Sequence, residues 1–489
     1  MPDIPHAPLT CMSIERRALA GLKATALARL AGQALSWAAT LVVFRLVDPQ
    51  DYGLMAIVGT LVGIGAAVAE FGLGSALVQA RELPQEQLAR LAGVVWLLHG
   101  VMALALVAGA PLAAWFYGDP RLTAPLQAGA AVFVFAALGA VPSALATREL
   151  DFAWLARIEF ASVIVGSALS LGLALLGAGV WALVAGLLGP AAVRCVLLIG
   201  WGQSVRPRLE FTGLRQHLSF SSQMAITQVI WSFVSQADVL IGGRLLSREA
   251  LGHYSVAVHL ATLPMHKVMG VVNQIAFAAV ARLQDESERL RERVLFGTRL
   301  MMSLSVGVMW LLACIAPELL PLLIGPAWTD AVPVLQIVSL VVPLRMLMMM
   351  LATAISGIGA ANVNLRNTLT AAVIWPVALY FGAQSGAVGL AAAWCVASPL
   401  TFALNARRVM STLGMSLGDL LRLISRPLLA GTTMWAASAA VRALTTGLPS
   451  LLALALLAAV ACVAYIASLL LLDRRLVADL RRVARAARD

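Results

Sequence analysis

The sequence predicts an all-α integral membrane protein that crosses a bilayer about fourteen times. Three observations lead there. Of 489 residues, 61% are hydrophobic and only 12% are charged, about half the charged share of a soluble globular chain. Polar side chains are too few to cover soluble domains, so lipid must be the solvent. The apolar residues come in runs of about 20, the length a helix needs to cross the hydrocarbon core, and short polar breaks divide those runs.

In chain order the candidate spans fall at roughly 22–46, 53–79, 90–116, 122–146, 154–176, 179–201, 218–244, 250–280, 294–316, 331–356, 363–383, 386–406, 420–442 and 450–472. The stretch 250–280 reads as a single long or tilted span. The breaks carry turn chemistry: Asp48-Pro49-Gln50-Asp51 after the first span, Gly118-Asp119-Pro120 after the third, Gly177-Ala178-Gly179 after the fifth. None is long enough to fold as a soluble domain. The longest polar connector, 282–294, mixes charges at helical spacing and reads as an amphipathic link.

Arginine placement sets the orientation, because cytoplasmic segments carry the positive excess. With the N-terminus inside, the inner segments hold Arg16, Arg17, Arg81, Arg90, Arg148, Arg206, Arg208, Arg215, Arg282, Arg289, Arg291, Arg293, Arg407, Arg408 and the arginines of the tail after residue 473. The outer segments hold Arg121, Arg244, Arg248 and Arg442. Both termini are therefore expected in the cytoplasm, with the tail as a short basic amphipathic helix on the inner surface. The net charge of +11 then belongs to loops held against anionic headgroups, not to a nucleic-acid site. The first twenty residues lack the apolar core of a cleavable signal, so the first helix is expected to act as an uncleaved anchor, with Met12 as an alternative start. Cys11, Cys195, Cys314, Cys395 and Cys462 are scattered and form no disulfide or metal pattern. No cofactor is expected.

An internal repeat is present. Residues 44–53, FRLVDPQDYG, align without gaps on residues 243–252, GRLLSREALG. Both copies lie where the first helix of a half meets the second, and span one matches span seven. That is a parallel repeat. It predicts a six-helix lobe at 1–215, a second at 216–410, and a remainder at 411–489 holding spans 13 and 14 with the basic tail. The two bundles are expected to form a V-shaped central cleft, and the last two helices are expected to offer a lipid tail a flanking groove.

Three stretches carry a resemblance. Residues 44–83 hold the Arg-Leu turn, Asp51-Tyr52-Gly53, Phe71-Gly72-Leu73-Gly74 and Ala76-Leu77-Val78-Gln79. Residues 235–266 hold Asp238 and Leu251-Gly252-His253-Tyr254-Ser255. Residues 325–337 hold Gly325-Pro326-Ala327-Trp328. Together they resemble the polysaccharide transporter family, a branch of the superfamily that also holds multidrug antiporters and lipid II flippases. The resemblance implies a Wzx-type flippase that carries undecaprenyl-diphosphate-linked oligosaccharide units from the cytoplasmic to the periplasmic leaflet of a bacterial inner membrane, for O-antigen, capsule or exopolysaccharide assembly. It implies as partners the lipid-linked oligosaccharide, membrane lipids, a polysaccharide polymerase and a chain-length regulator, and a coupling ion, proton or sodium.

Moving a glycan and a diphosphate across an apolar slab requires a hydrated, cation-lined path. Charged side chains within spans are costly and by default mark such a path. The deeper cations are Arg29, Arg194, Lys267, Arg299 and Arg345, and arginine suits phosphate because its fork donates two parallel hydrogen bonds. Arg194 either faces the path or pairs with Glu159. Two acids, Glu70 and Asp238, are ion-coupling candidates; Asp238 ends a polar stripe with Gln228, Ser232, Ser235 and Gln236, and its alternative is a purely structural carboxylate. His99 and His259 also lie within spans. Pro142, Pro190, Pro264, Pro343, Pro376 and Pro399 are expected inside helices, as kinks or hinges.

Competing readings are a lipid II flippase, a cation-coupled drug antiporter with twelve spans and a compact acidic site, and a membrane polymerase or glycosyltransferase. An enzyme using a nucleotide sugar needs a carboxylate metal site on a sizeable loop or domain. No such loop exists in the sequence, so the expectation is a transporter and not an enzyme.

Overall fold

The computed structural model describes residues 32, 35–70, 85–148, 152–200, 207–210, 215–282, 287–444 and 447–473, with residues 85, 148, 152–153, 215–226, 266–268, 270–282, 287 and 361 described by backbone alone. The expected tail helix lies outside the described residues.

The described chain is a succession of helices without strands. They are α1 (Leu35–Leu46), α2 (Pro49–Ala69), α3 (Gln85–Tyr117), α4 (Thr123–Gly129), α5 (Ala131–Arg148), α6 (Phe152–Leu175), α7 (Val180–Gly200), α8 (Arg215–Leu245), α9 (Arg248–Arg282), α10 (Ser287–Ile324), α11 (Val332–Gly357), α12 (Ala361–Ala383), α13 (Gly386–Leu413), α14 (Leu417–Leu444) and α15 (Ser450–Leu472). The fourth expected span is α4 and α5 together. The stretch 250–280 is one continuous helix, α9. Among the described residues nine helices are long and apolar enough to cross a membrane by length and composition. Helices α8, α9, α12 and α14 are also of membrane-spanning length.

The breaks use the residues expected of them. Gly177 and Gly179 turn the chain between α6 and α7 at φ of 72° and 55°, a region that favours glycine. The expected prolines all lie inside helices. The connector at 282–294 has the helical, amphipathic character that its charge spacing predicts. From Ser287 onward it is the start of the 38-residue α10. Leu290 and Val294, one helical turn apart, are buried in the core, which leaves the charges for the opposite face.

The chain forms two compact units. The second begins at Gln223 and also includes Asp48–Thr60 and Phe116–Gly118. In the first unit α6 and α7 pack closely through small residues, with Gly189 3.1 Å from the Gly166 Cα once a Cβ is imagined on it. In the second unit α11 is central: 61% of its apolar window is buried, against 17% for α15. It touches α9, α10, α12 and α13.

Helices α14 and α15 pack on α10 inside this second unit. Gly307 sits against the Tyr465 ring and Gly431 against Trp310, and the Tyr465 hydroxyl donates to the Ser303 carbonyl at 2.6 Å. Arg442 holds Glu318 with two hydrogen bonds of 2.8 and 3.1 Å, while Arg291 holds Asp419 at 2.8 Å. Each pair joins segments that the helix alternation puts on the same side.

The repeat is visible in the packing of this unit. A Cβ on Gly53 would overlap the Arg248 carbonyl, and one on Gly252 would overlap the Pro49 carbonyl. Those partners are themselves equivalent positions of the two copies, so the contact is reciprocal. Trp328, 1% exposed, closes the same cluster. Its ring meets Tyr52 edge-on at 5.2 Å and His253 at 5.6 Å, and His253 Nε2 lies 3.0 Å from the Ala327 carbonyl oxygen. The three stretches that carry the family resemblance thus converge on one structural joint.

Candidate functional site

A cavity of about 270 Å³ lies within the second unit, walled by α8, α11, α12 and α13. The three walls α11, α12 and α13 carry Pro343, Pro376 and Pro399 inside them. Each proline removes a main-chain hydrogen bond and interrupts regular helix geometry near the space.

Arg345 is the charged residue of the wall, and it is only 9% exposed. Its guanidinium carbon lies 4.7 Å from the Trp394 ring, 5.1 Å from Trp375 and 5.5 Å from Trp231. Cation–π contact of this kind is worth about 2 kcal/mol or more per desolvated ring. Three rings make a burial tolerable that water would otherwise oppose. Trp394 also links Arg345 to Asp238. The Trp394 Nε1–H donates to the Tyr254 hydroxyl at 2.9 Å, and that hydroxyl donates to Asp238 Oδ2 at 2.9 Å. The Val239 amide donates to Asp238 Oδ1 at 2.8 Å. Asp238 and Arg345 lie within Coulombic range of each other, so the buried carboxylate and the buried cation compensate.

The rest of the wall mixes apolar side chains, among them Met348, Met349, Leu351, Ile355 and Phe402, with amides and hydroxyls. Asn364 donates to the Ala352 carbonyl at 2.9 Å and to Ser356 Oγ at 2.7 Å. Asn405 donates to the Asn367 carbonyl at 3.3 Å. The exposed Arg408 donates to Asn405 Oδ1 at 2.8 Å and Asn367 Oδ1 at 3.4 Å, and so fixes both amides.

The predicted site residues separate. Arg345 lines the cavity and Asp238 stands behind its cage. Arg299 lies 3.9 Å from Asp473, which also accepts from Arg426 at 2.8 Å; this cluster is away from the cavity wall. Arg194 is exposed in the first unit and donates to Ser143 Oγ at 3.3 Å. Among the described residues it makes no pair with Glu159, so that alternative is corrected: the partner is a hydroxyl. Glu70 is exposed, one residue past the end of α2. Arg29 lies outside the described residues, as does the side chain of Lys267 on α9. His99 is buried with Nδ1 2.9 Å from the Val95 carbonyl of its own helix.

Reasoning from charge alone missed the tryptophans, Tyr254, Asn364, Asn367 and Asn405. The signal was present: Asn364 and Asn367 stand one turn apart in an apolar span, and the tryptophans fall within spans instead of at their interfacial ends.

The family model described as "Polysaccharide biosynthesis protein" matches residues 42–333. The chain belongs to that family. Two curated members of polysaccharide biosynthesis are similar over most of their length. The lipopolysaccharide biosynthesis protein WzxC of Escherichia coli (strain K12) is 23% identical over 390 residues, 78% of either chain. The succinoglycan biosynthesis transport protein ExoT of Rhizobium meliloti (strain 1021) is 27% identical over 373 residues, 74% of this chain and 73% of ExoT. Among solved structures, lipid II flippase MurJ in an inward closed conformation superposes with a TM-score of 0.72 at 12% identity, covering 93% of this chain and 99% of MurJ. That likeness is one of fold. The polysaccharide biosynthesis protein described here is thus a multi-pass helical membrane protein, and its relative ExoT is named for transport. Its matched region holds the glycine joint and ends before Arg345, Asn364 and Asn405.

Proposed function

We propose that this family member flips undecaprenyl-diphosphate-linked oligosaccharide units from the cytoplasmic to the periplasmic leaflet of a bacterial inner membrane, for O-antigen, capsule or exopolysaccharide assembly. The observation that carries the reading is the cavity itself. Its wall sets amides, hydroxyls and one caged arginine among apolar side chains, and polar groups within membrane-spanning helices mark a solute path by default. Its chemistry suits a glycan. Transport would proceed by alternating access, with Arg345 on the substrate path and Asp238 as the acid that a coupling ion would address. Both termini lie in the cytoplasm on this reading, consistent with arginine placement. A polymerase and a chain-length regulator would receive the product.

The test is accumulation in a deletion strain. Undecaprenyl-linked repeat units should build up on the inner leaflet and disappear when the full chain is restored. Accumulation of lipid II instead would move the substrate to the peptidoglycan precursor. No accumulation of either would sink the flippase reading.

A further inference from the structure

Arg408 is pinned along one side of its guanidinium and open along another. Its Nη1 donates to Asn405 Oδ1 at 2.8 Å, to Thr370 Oγ1 at 3.1 Å and to Asn367 Oδ1 at 3.4 Å. These bonds fix the group between α12 and α13. The Nε–Nη2 edge takes no part in them. That edge carries two parallel N–H donors, the geometry that grips a phosphate in a fork. Arg408 is exposed and is no part of the cavity wall. The surface it offers is the outside of the α12–α13 pair.

The charge beside that edge is positive. Arg366 lies one turn before Thr370, whose hydroxyl donates to the Arg366 carbonyl at 2.9 Å, and its side chain is exposed. Arg407 adjoins Arg408. Neither α12 nor α13 holds an aspartate or glutamate. Toward the middle of the helices the exposed faces turn apolar. Leu404, Leu400 and Val396 precede Arg408 at four-residue spacing, and Leu369, Val373 and Val377 follow Arg366 on its own face; all six are exposed. Arg408 to Val396 covers about 18 Å of helix. The hydrocarbon depth of one leaflet is about 15 Å. A fixed cationic fork at one end of a leaflet-long apolar stripe complements an anionic amphiphile, and basic clusters between helices on the cytoplasmic side take such headgroups.

We infer that Arg408 and Arg366 form a headgroup site for an anionic phospholipid of the inner leaflet. The Nε–Nη2 edge of Arg408 grips its phosphodiester, and an acyl chain lies along Leu404, Leu400 and Val396. The choice of leaflet rests on the cytoplasmic placement of both termini; the binding rests on neither that placement nor the flippase reading. The same guanidinium fixes Asn367 and Asn405, so the lipid steadies the cavity wall from outside.

The experiment is native mass spectrometry of the full chain in detergent, titrated separately with dioleoylphosphatidylglycerol, dioleoylphosphatidylcholine and undecaprenyl diphosphate. One phosphatidylglycerol is expected to bind at least tenfold tighter than phosphatidylcholine. Arg408→Gln should weaken it about tenfold, the loss of a charge-assisted fork. Arg408→Lys should weaken it less, because lysine keeps the charge without the fork. Arg366→Gln leaves the bonds to Asn367 and Asn405 in place and should weaken it several-fold. Arg422→Gln removes an exposed arginine of α14 and should leave it unchanged. Equal affinity for the two phospholipids overturns the proposal. So does an affinity for phosphatidylglycerol that survives both Arg408→Gln and Arg366→Gln, or Arg366→Gln alone where Arg408→Gln does not fold. An equal loss in Arg422→Gln reduces the effect to net charge and also overturns it. A loss confined to undecaprenyl diphosphate gives the site to the carrier lipid and overturns it as well.

Discussion

Gly53 and Gly252 are equivalent residues of the two repeat copies, and each fills the space beside the other's helix start. The contact leaves no room for a side chain on either. Gly53→Ala or Gly252→Ala should therefore cost about 1–3 kcal/mol through forced backbone separation. The double variant should cost less than the sum, because the first methyl already parts the helices. Thermal unfolding of the purified chain in detergent measures both.

Arg345 and Asp238 should behave as one unit. Arg345→Gln strands a buried carboxylate, so folded yield should fall sharply. Adding Asp238→Asn should recover yield without recovering polysaccharide export. Arg345→Lys keeps the charge but loses the flat guanidinium that stacks on tryptophan, and should lie between wild type and Gln in export. A double-mutant cycle with near-zero coupling would separate the two residues.

Tyr254 both donates to Asp238 and accepts from Trp394. Tyr254→Phe leaves the indole N–H and one carboxylate oxygen short of a partner at once. The expected loss is about 1–3 kcal/mol for each buried group so stranded. Unfolding midpoints of Tyr254→Phe and Trp394→Phe, singly and together, check the linkage.

Outside the membrane, Ser416 and Asp419 form a capping box at the start of α14: the Asp419 amide donates to Ser416 Oγ at 3.1 Å, and the Ser416 amide donates to Asp419 Oδ2 at 3.1 Å. The Arg291 hydrogen bond holds the Asp419 carboxyl down to about 2. A carboxyl lowered in the folded state stabilises above its unfolded value, near 4, and loses that contribution as pH falls toward about 2. The unfolding midpoint should therefore drop between about pH 4 and 2, and Asp419→Asn should flatten this part of the profile. The effect should shrink in high salt, because the pair is partly exposed.

Much of this architecture was legible because one physical constraint, lipid as solvent, governs every helix. The order of spans, the turn at Gly177 and Gly179, the helical prolines and the repeat follow from hydropathy, backbone freedom and pattern. The glycine motif was readable as a repeat but not as a contact, since nothing local says which helix start meets which. The site was half legible. Arg345 stood out as a buried cation, whereas Arg299 looked the same in sequence and pairs with Asp473, 174 positions away. Partners that distant are set by packing, and so is the tryptophan cage drawn from three helices. The connector at 282–294 was legible as amphipathic, but not that α11 and α14 would supply the core for Leu290 and Val294.

The polar load of α8 has a bearing on biogenesis. A helix with Gln228, Gln236 and Asp238 along it partitions poorly into lipid alone, since an aspartate costs up to about 2.5–3.5 kcal/mol at the translocon, the most at the helix centre. Tyr254 and Trp394, which hold Asp238, are synthesised later. The segment must therefore leave the ribosome before its shelter exists, and its final seating waits for α13. A chain truncated after α11 should accordingly stall as a substrate for membrane quality control.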